Sequence, residues 1–196
     1  MNCIAIIPAG GKGLRSGSAT PKQYLKVNGR EIIVYTLQTF QKNKLIDRII
    51  IAAEPEYFSL LIKLVKKYKL SKVKLIVEGG STRQQSVYNA VLSSEADDND
   101  LLVVHDAARA LIPNVILTNA IISAKKNGNA LVCIKAKDTL IKGKKFVDEY
   151  LNRDEVYYVQ TPQIFKYREL QRALGKAHSE QFFGTDESML VKRIGK

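Results

Sequence analysis

An α/β protein built on a mostly parallel sheet is the fold class this chain predicts, and three observations carry that reading. Short apolar runs alternate with segments of helical apolar spacing through residues 3–136. Those runs lack the in-and-out alternation of a half-solvated sheet, as expected of strands covered on both faces. Polar clusters rich in glycine, arginine or acid directly follow three of them.

Taken in order, Cys3–Pro8 is the first strand. Glu31–Phe40 places apolar residues at Ile32, Ile33, Tyr35, Leu37 and Phe40, a helical spacing. Arg48–Ala53 is a continuous apolar run and the second strand. Pro55 opens a helix carrying Phe58, Leu61, Ile62 and Val65. Val73–Val77 is a strand, Ser81–Leu92 a helix after Gly79-Gly80, and Leu101–Val104 a strand ending at His105-Asp106. Ile112–Lys126 is helical and Ala130–Ala136 is the next strand. Ligands of such sheets bind outside the carboxyl ends of the strands, so Gly10–Arg15, Gly79–Arg83 and His105–Arg109 are expected to meet at one cleft. Residues 138–159 break the rhythm: they are charged, turn at Gly143, and are β-prone at both ends, which predicts a protruding β-arm that can serve dimerisation.

The 196 residues, 45% hydrophobic and 26% charged, fit a single domain with an ordinary core. No run approaches the roughly 18 apolar residues of a membrane span, and the chain starts in a core strand without a signal-peptide pattern. A cytoplasmic protein with no membrane partner is expected. The net charge of +12 is spread over scattered lysines, as in Lys63-Leu64-Val65-Lys66-Lys67, which predicts a solvated basic surface that attracts phosphorylated substrates, with no nucleic-acid partner. Cys3 and Cys133 sit in apolar runs without metal-ligand spacing and read as buried thiols.

The chemistry concentrates after the first strand, in Ala9-Gly10-Gly11-Lys12-Gly13-Leu14-Arg15, followed by Pro21-Lys22-Gln23-Tyr24. Glycines let the backbone approach a ligand closely, and two cations just beyond them complete a polyphosphate cradle. The P-loop pattern is absent, and the dinucleotide fingerprint fails because Ser16 stands at its third glycine. Taken alone, the loop would also suit an ordinary turn on an α/β sheet.

Further motifs extend the pattern: G-G-x-x-R-x-x-S-V at Gly79–Val87, V-H-D-A-A-R at Val104–Arg109, K-D-T at Lys137–Thr139, Arg153, T-P-Q-I-F at Thr161–Phe165 and T-D-E at Thr185–Glu187. In this order they resemble the 2-C-methyl-D-erythritol 4-phosphate cytidylyltransferases, over nearly the whole chain. The resemblance implies a Rossmann-like sheet of the nucleotide-diphospho-sugar transferase type. It also implies cytidylyl transfer from CTP to a sugar-alcohol phosphate, a divalent cofactor (Mg²⁺), and a homodimer joined through the arm. By the same resemblance, Ala9, Gly10, Gly11 and Gly13 line the CTP phosphates, and Arg15 and Lys22 are the catalytic cations. Gly80, Ser81 and Ser86 hold the cytosine, and Asp106 orients the metal and nucleotide. Arg109, Thr139, Arg153, Thr161 and Thr185 bind the sugar phosphate, with Thr139 and Arg153 reaching across the dimer.

In-line displacement at an α-phosphate needs no protein nucleophile, only cations that cancel anionic repulsion. His105 therefore reads as structural, not as a base. Ala110 stands where the family has proline, and the family continues beyond this sequence's end into an N-I-K segment with a second metal-binding aspartate, which predicts a missing tail. Ribitol-5-phosphate cytidylyltransferase and a non-catalytic CTP-binding protein are the alternative readings.

Overall fold

The computed structural model describes residues 1–11 and 20–196. Its centre is a six-stranded sheet whose order is β5-β4-β1-β6-β10-β7. Here β1 is Cys3–Pro8, β4 Arg48–Ala53, β5 Val73–Glu78, β6 Leu101–Val104, β7 Asn129–Lys135 and β10 Tyr157–Lys166. The chain also forms two small antiparallel pairs, β2 Lys26–Val27 with β3 Arg30–Glu31, and β8 Leu140–Gly143 with β9 Val147–Leu151. The helices are α1 Ile32–Lys42, α2 Phe58–Lys67, α3 Arg83–Leu92, α4 Asn114–Asn127, α5 Tyr167–Ser179 and α6 Glu187–Arg193.

Strand β1 pairs in parallel with β4 and β6, and β4 in parallel with β5. Successive residues of these strands face opposite sides, and both sides are apolar. Cys3, Ala5 and Ile7 share one core with Ile33, Leu37 and Phe40 of α1, Leu61 of α2 and Ile121 of α4. Ile4 and Ile6 face a second core with Val87 of α3, Leu170 and Leu174 of α5 and Leu190 of α6. The expected mostly parallel sheet with helices on both faces is thus what the chain forms.

Strand β10 is the exception, running antiparallel to both β6 and β7. Tyr157, Tyr158 and Val159 pair with Lys135, Ile134 and Cys133, so the end of the 138–159 stretch belongs to the central sheet. The free-standing hairpin is confined to residues 140–151. Cys133 differs from its sequence reading. It is exposed, whereas Cys3 is buried. Strand β7 lies at the sheet edge, where Ala130 and Val132 pack on the core and Leu131, Cys133 and Ile134 face outward. Among the described residues, no helix is long and apolar enough to cross a membrane.

Because β1, β4, β5 and β6 are parallel, their carboxyl ends lie along one rim. Ala9 N–H donates to Ala52 O at 2.6 Å and Gly79 N–H to Ala53 O at 2.8 Å, which ties the first two polar clusters together through β4. His105 N–H donates to Ile6 O at 3.0 Å and brings in the third.

Candidate active site

At the rim, Gly10, Gly79, Gly80 and Ser86 are in contact. A Cβ on Gly10 would sit 3.1 Å from Ser86 Oγ and 3.6 Å from Gly79 Cα. A Cβ on Gly80 would collide with the Cβ and Cγ of Gln85, so only glycine fits there. Ser86 lies in the first turn of α3, which Thr82 caps by accepting from Gln85 N–H at 3.0 Å. The buried Ser86 Oγ accepts from Gly80 N–H at 3.0 Å and donates to Thr82 O at 2.9 Å. Its proton is committed to the backbone, so Ser86 shapes the loop and offers a ligand only lone-pair character. Ser81 is exposed beside it.

Lys22 is exposed in a short 3₁₀ turn, Lys22–Tyr24, which directs it away from its buried neighbours Gln23 and Tyr24. Ala9 and Gly10 are buried and Gly11 is exposed. Gly13 and Arg15 lie outside the described residues.

The second half of the site is a charge network on the β6 end. Asp106 Oδ1 accepts from Arg83 Nε at 2.8 Å and its Oδ2 from Arg109 Nε at 3.0 Å. Arg83 also donates through Nη1 to Glu187 Oε1 at 2.6 Å, and Arg109 bonds Gln160 through Nη1. Burial pushes the Asp106 carboxyl up, but the two guanidinium groups outweigh it and hold the pKa below the usual carboxylate range. Asp106 is therefore charged at neutral pH. Glu187 is 1% exposed, and its Oε2 has no partner among the described residues. Burial pushes its carboxyl up against the pull of Arg83.

His105 is fully buried between these parts. Its Nε2 is 3.1 Å from Arg109 O, which can only accept, so Nε2 carries the hydrogen. Nδ1 is then an acceptor, 3.0 Å from Thr161 Oγ1, which must donate to it. Burial pushes the His105 pKa down to about 4, which keeps the ring neutral. The histidine is a strut, as the sequence reading holds. Thr161 also accepts from Asp106 N–H at 3.4 Å, so its hydroxyl proton serves His105 and not a phosphate. This departs from the phosphate-contact role the resemblance implies for Thr161.

The family model for 2-C-methyl-D-erythritol 4-phosphate cytidylyltransferase (IspD) matches residues 3–196. The chain belongs to this family. The Clostridium acetobutylicum enzyme of that name is 40% identical over all of this chain and 85% of its own length. The Lysinibacillus sphaericus enzyme is 36% identical, over all of this chain and 84% of its own length. Among solved structures, 4-diphosphocytidyl-2C-methyl-D-erythritol synthase from Anaerococcus prevotii superposes with a TM-score of 0.85 at 29% identity, covering 100% of this chain and 83% of that one. The Francisella tularensis cytidylyltransferase gives 0.81 at 30%, covering 100% and 87%.

The remaining expected site residues of this cytidylyltransferase family member are spread more widely. Thr139 and Arg153 are exposed at the base of the 140–151 hairpin, where Arg153 Nη1 donates to Lys137 O at 3.3 Å. Thr185 is exposed just before α6, whose N-terminus Asp186 caps by accepting from Met189 N–H at 3.0 Å. Arg83, Glu187, Gln160 and Gln23 are the polar groups that sequence reasoning left without a role. The first two stand inside motifs already singled out, G-G-x-x-R and T-D-E, but their pairing spans 104 residues and no local pattern announces it. Gln160 sits next to Thr161, and Gln23 next to Lys22.

Proposed function

We propose that this chain transfers a cytidylyl group from CTP to 2-C-methyl-D-erythritol 4-phosphate, releasing pyrophosphate and forming 4-diphosphocytidyl-2-C-methyl-D-erythritol. One observation carries this reading: the glycine-lined rim of β1 and β5 meets the Asp106–arginine network in a chain that the family model matches over residues 3–196. The rim is a nucleotide seat, with backbone exposed at Gly11 and a capped helix start at Arg83. The network offers fixed guanidinium groups to a second anion.

The substrate's phosphate oxygen attacks the α-phosphate in line with the departing pyrophosphate. Lys22 and Arg15 supply positive charge where it builds during transfer. Asp106 suits Mg²⁺, which is ordinarily held by one or two carboxylates plus phosphate oxygens. Asp106 is ionised, and each of its oxygens retains a lone pair beyond its arginine bond. Among the described residues Asp106 is the group that would hold the cation, together with phosphate oxygens of the nucleotide. When bound, Mg²⁺ neutralises charge on the triphosphate and on the leaving pyrophosphate. Gly80 with Ser81 and Ser86 seats the base, while Arg109, Thr139, Arg153 and Thr185 serve the sugar phosphate.

The working unit in this reading is a cytoplasmic homodimer. Support for the dimer is apolar surface on the hairpin, where Ile141, Phe146, Val147 and Tyr150 are exposed, together with exposed Leu131 and Ile134 on edge strand β7. The deciding experiment is pyrophosphate release from CTP with methylerythritol phosphate, with and without Mg²⁺. Release with ribitol 5-phosphate instead, or CTP binding without turnover, would displace this reading.

A further inference from the structure

Gln23 follows Lys22 in P-K-Q-Y, yet its side chain points the other way and is 4% exposed. Its Nε2 donates to Ala9 O at 2.6 Å and to Gly11 O at 3.1 Å. Both acceptors are carbonyls, so both amide hydrogens are used and the orientation of the Gln23 amide is fixed. Tyr24 OH donates to the same Ala9 O at 3.3 Å, and its ring stacks on Tyr57 with centroids 4.0 Å apart and planes 11° apart. Ala9 O thus accepts twice, from two neighbouring residues of one short turn.

A trans peptide points its C=O and its N–H in opposite directions. Drawing Ala9 C=O toward Gln23 turns Gly10 N–H to the other side. Gly10 has no Cβ to restrict it, and the two bonds to Ala9 O hold the aim of the Ala9–Gly10 peptide. A loop of small residues would otherwise sample several orientations, because glycine carries little intrinsic preference. The same peptide lies against Ser86 and Gly79, at the seat of the nucleotide.

We propose that Gln23 is a positioning residue for the nucleotide: it holds the Ala9 and Gly11 carbonyls inward so that Gly10 N–H, and not the Ala9 carbonyl oxygen, is turned to the anionic ligand. The proposal rests on the reading that this cleft takes CTP, and it gives P-K-Q-Y a divided task. Lys22 faces the ligand, and Gln23 faces the loop that holds it.

The test is calorimetric titration of CTP into the full chain and three variants, with circular dichroism melts as the fold control. Gln23→Met keeps the volume and loses both donors; it is expected to weaken CTP binding by about 10- to 100-fold while the chain still folds. Gln23→Glu at pH 8 sets a carboxylate against two carbonyls and is expected to bind at least as weakly as Gln23→Met. At pH 6 the introduced carboxyl, once protonated, donates one hydrogen bond, so the CTP affinity of Gln23→Glu recovers several-fold relative to wild type at the same pH. Gln23→Met shows no such recovery. If Gln23→Met does not fold, Gln23→Asn, one methylene too short to reach both carbonyls, takes its place with the same expected loss. Wild-type affinity in a folded variant, or a Gln23→Glu loss that is the same at both pH values, overturns the proposal. CTP bound by wild type and variants alike refutes the clamp alone; a wild-type chain without CTP affinity refutes both the clamp and the functional reading beneath it.

Discussion

Replacing Arg83 with methionine isolates the energetics of the charge network. The substitution keeps an unbranched side chain but strips Glu187 of the donor 2.6 Å from Oε1, and its Oε2 already lacks a partner among the described residues. A carboxylate 1% exposed is then left uncompensated. Breaking a buried pair from one side costs about 3–5 kcal/mol. For a chain this size each kcal/mol shifts the melting midpoint by about 2–4 °C, so a fall of roughly 6–20 °C is expected. The double variant Arg83→Met/Glu187→Met removes both charges and regains most of that loss, since apolar replacements of buried pairs are often neutral. The pH dependence has a defined sign. In Arg83→Met, burial raises the Glu187 pKa in the folded state above its unfolded value, so the folded chain binds more protons and stability falls as pH rises above the ordinary carboxylate range. Thermal unfolding of the four species (wild type, both singles and the double) at about pH 5 and pH 8 measures all of this. A double variant no more stable than Arg83→Met, or a deficit equal at both pH values, would refute the reasoning.

Thr161→Val leaves His105 Nδ1 without its donor and should cost about 1–3 kcal/mol in urea unfolding; Thr161→Ser should restore it. Gly80→Ala forces Gln85 aside and disturbs the Gly80–Ser86 bond, so CTP affinity measured by titration should fall more than overall stability. Lys22→Ala should lower kcat by about 100- to 1000-fold with a much smaller change in CTP affinity, as seen in steady-state pyrophosphate release. Arg153→Ala should raise the KM for the sugar phosphate alone, and mixing it with Lys22→Ala chains should restore activity if subunits exchange across a twofold.

The parallel half of the sheet was legible because its strands are covered on both faces and read as unbroken apolar runs; Arg48–Ala53 appears with those bounds in the structure. Helix α1 and the three rim clusters followed from local spacing. Helix α5 carried a readable stripe at Leu170, Ala173, Leu174 and Ala177, but it begins directly from β10 without a turn residue to announce it. Strand β10 was harder, since Pro162 interrupts it and its register shifts between Val159 and Gln163, so its halves look unrelated in the sequence. Cys133 misled because an edge strand can be apolar on a face that this chain leaves uncovered. Within the site, types and motifs were readable while partnerships were not. Arg83 and Glu187 stand 104 residues apart, and nothing local tells that Gln23 reaches back to Ala9.

Strand β10 has one more consequence, which concerns the order in which the molecule can be completed. It slots between β6 and β7, and its irregular stretch delivers Gln160 to Arg109 and Thr161 to His105. Until that late segment has left the ribosome, β6 and β7 each present a bare row of peptide groups toward an empty lane, and neither has the other to close on. A nascent chain halted near residue 150 would carry nearly all of the nucleotide rim together with two open seams, the condition in which strands pair with neighbours of other chains. The strand that brings partners to Arg109 and His105 is also the one that fills the gap between β6 and β7, so a chain that fails to insert it is left with those side chains unsupported and prone to aggregate.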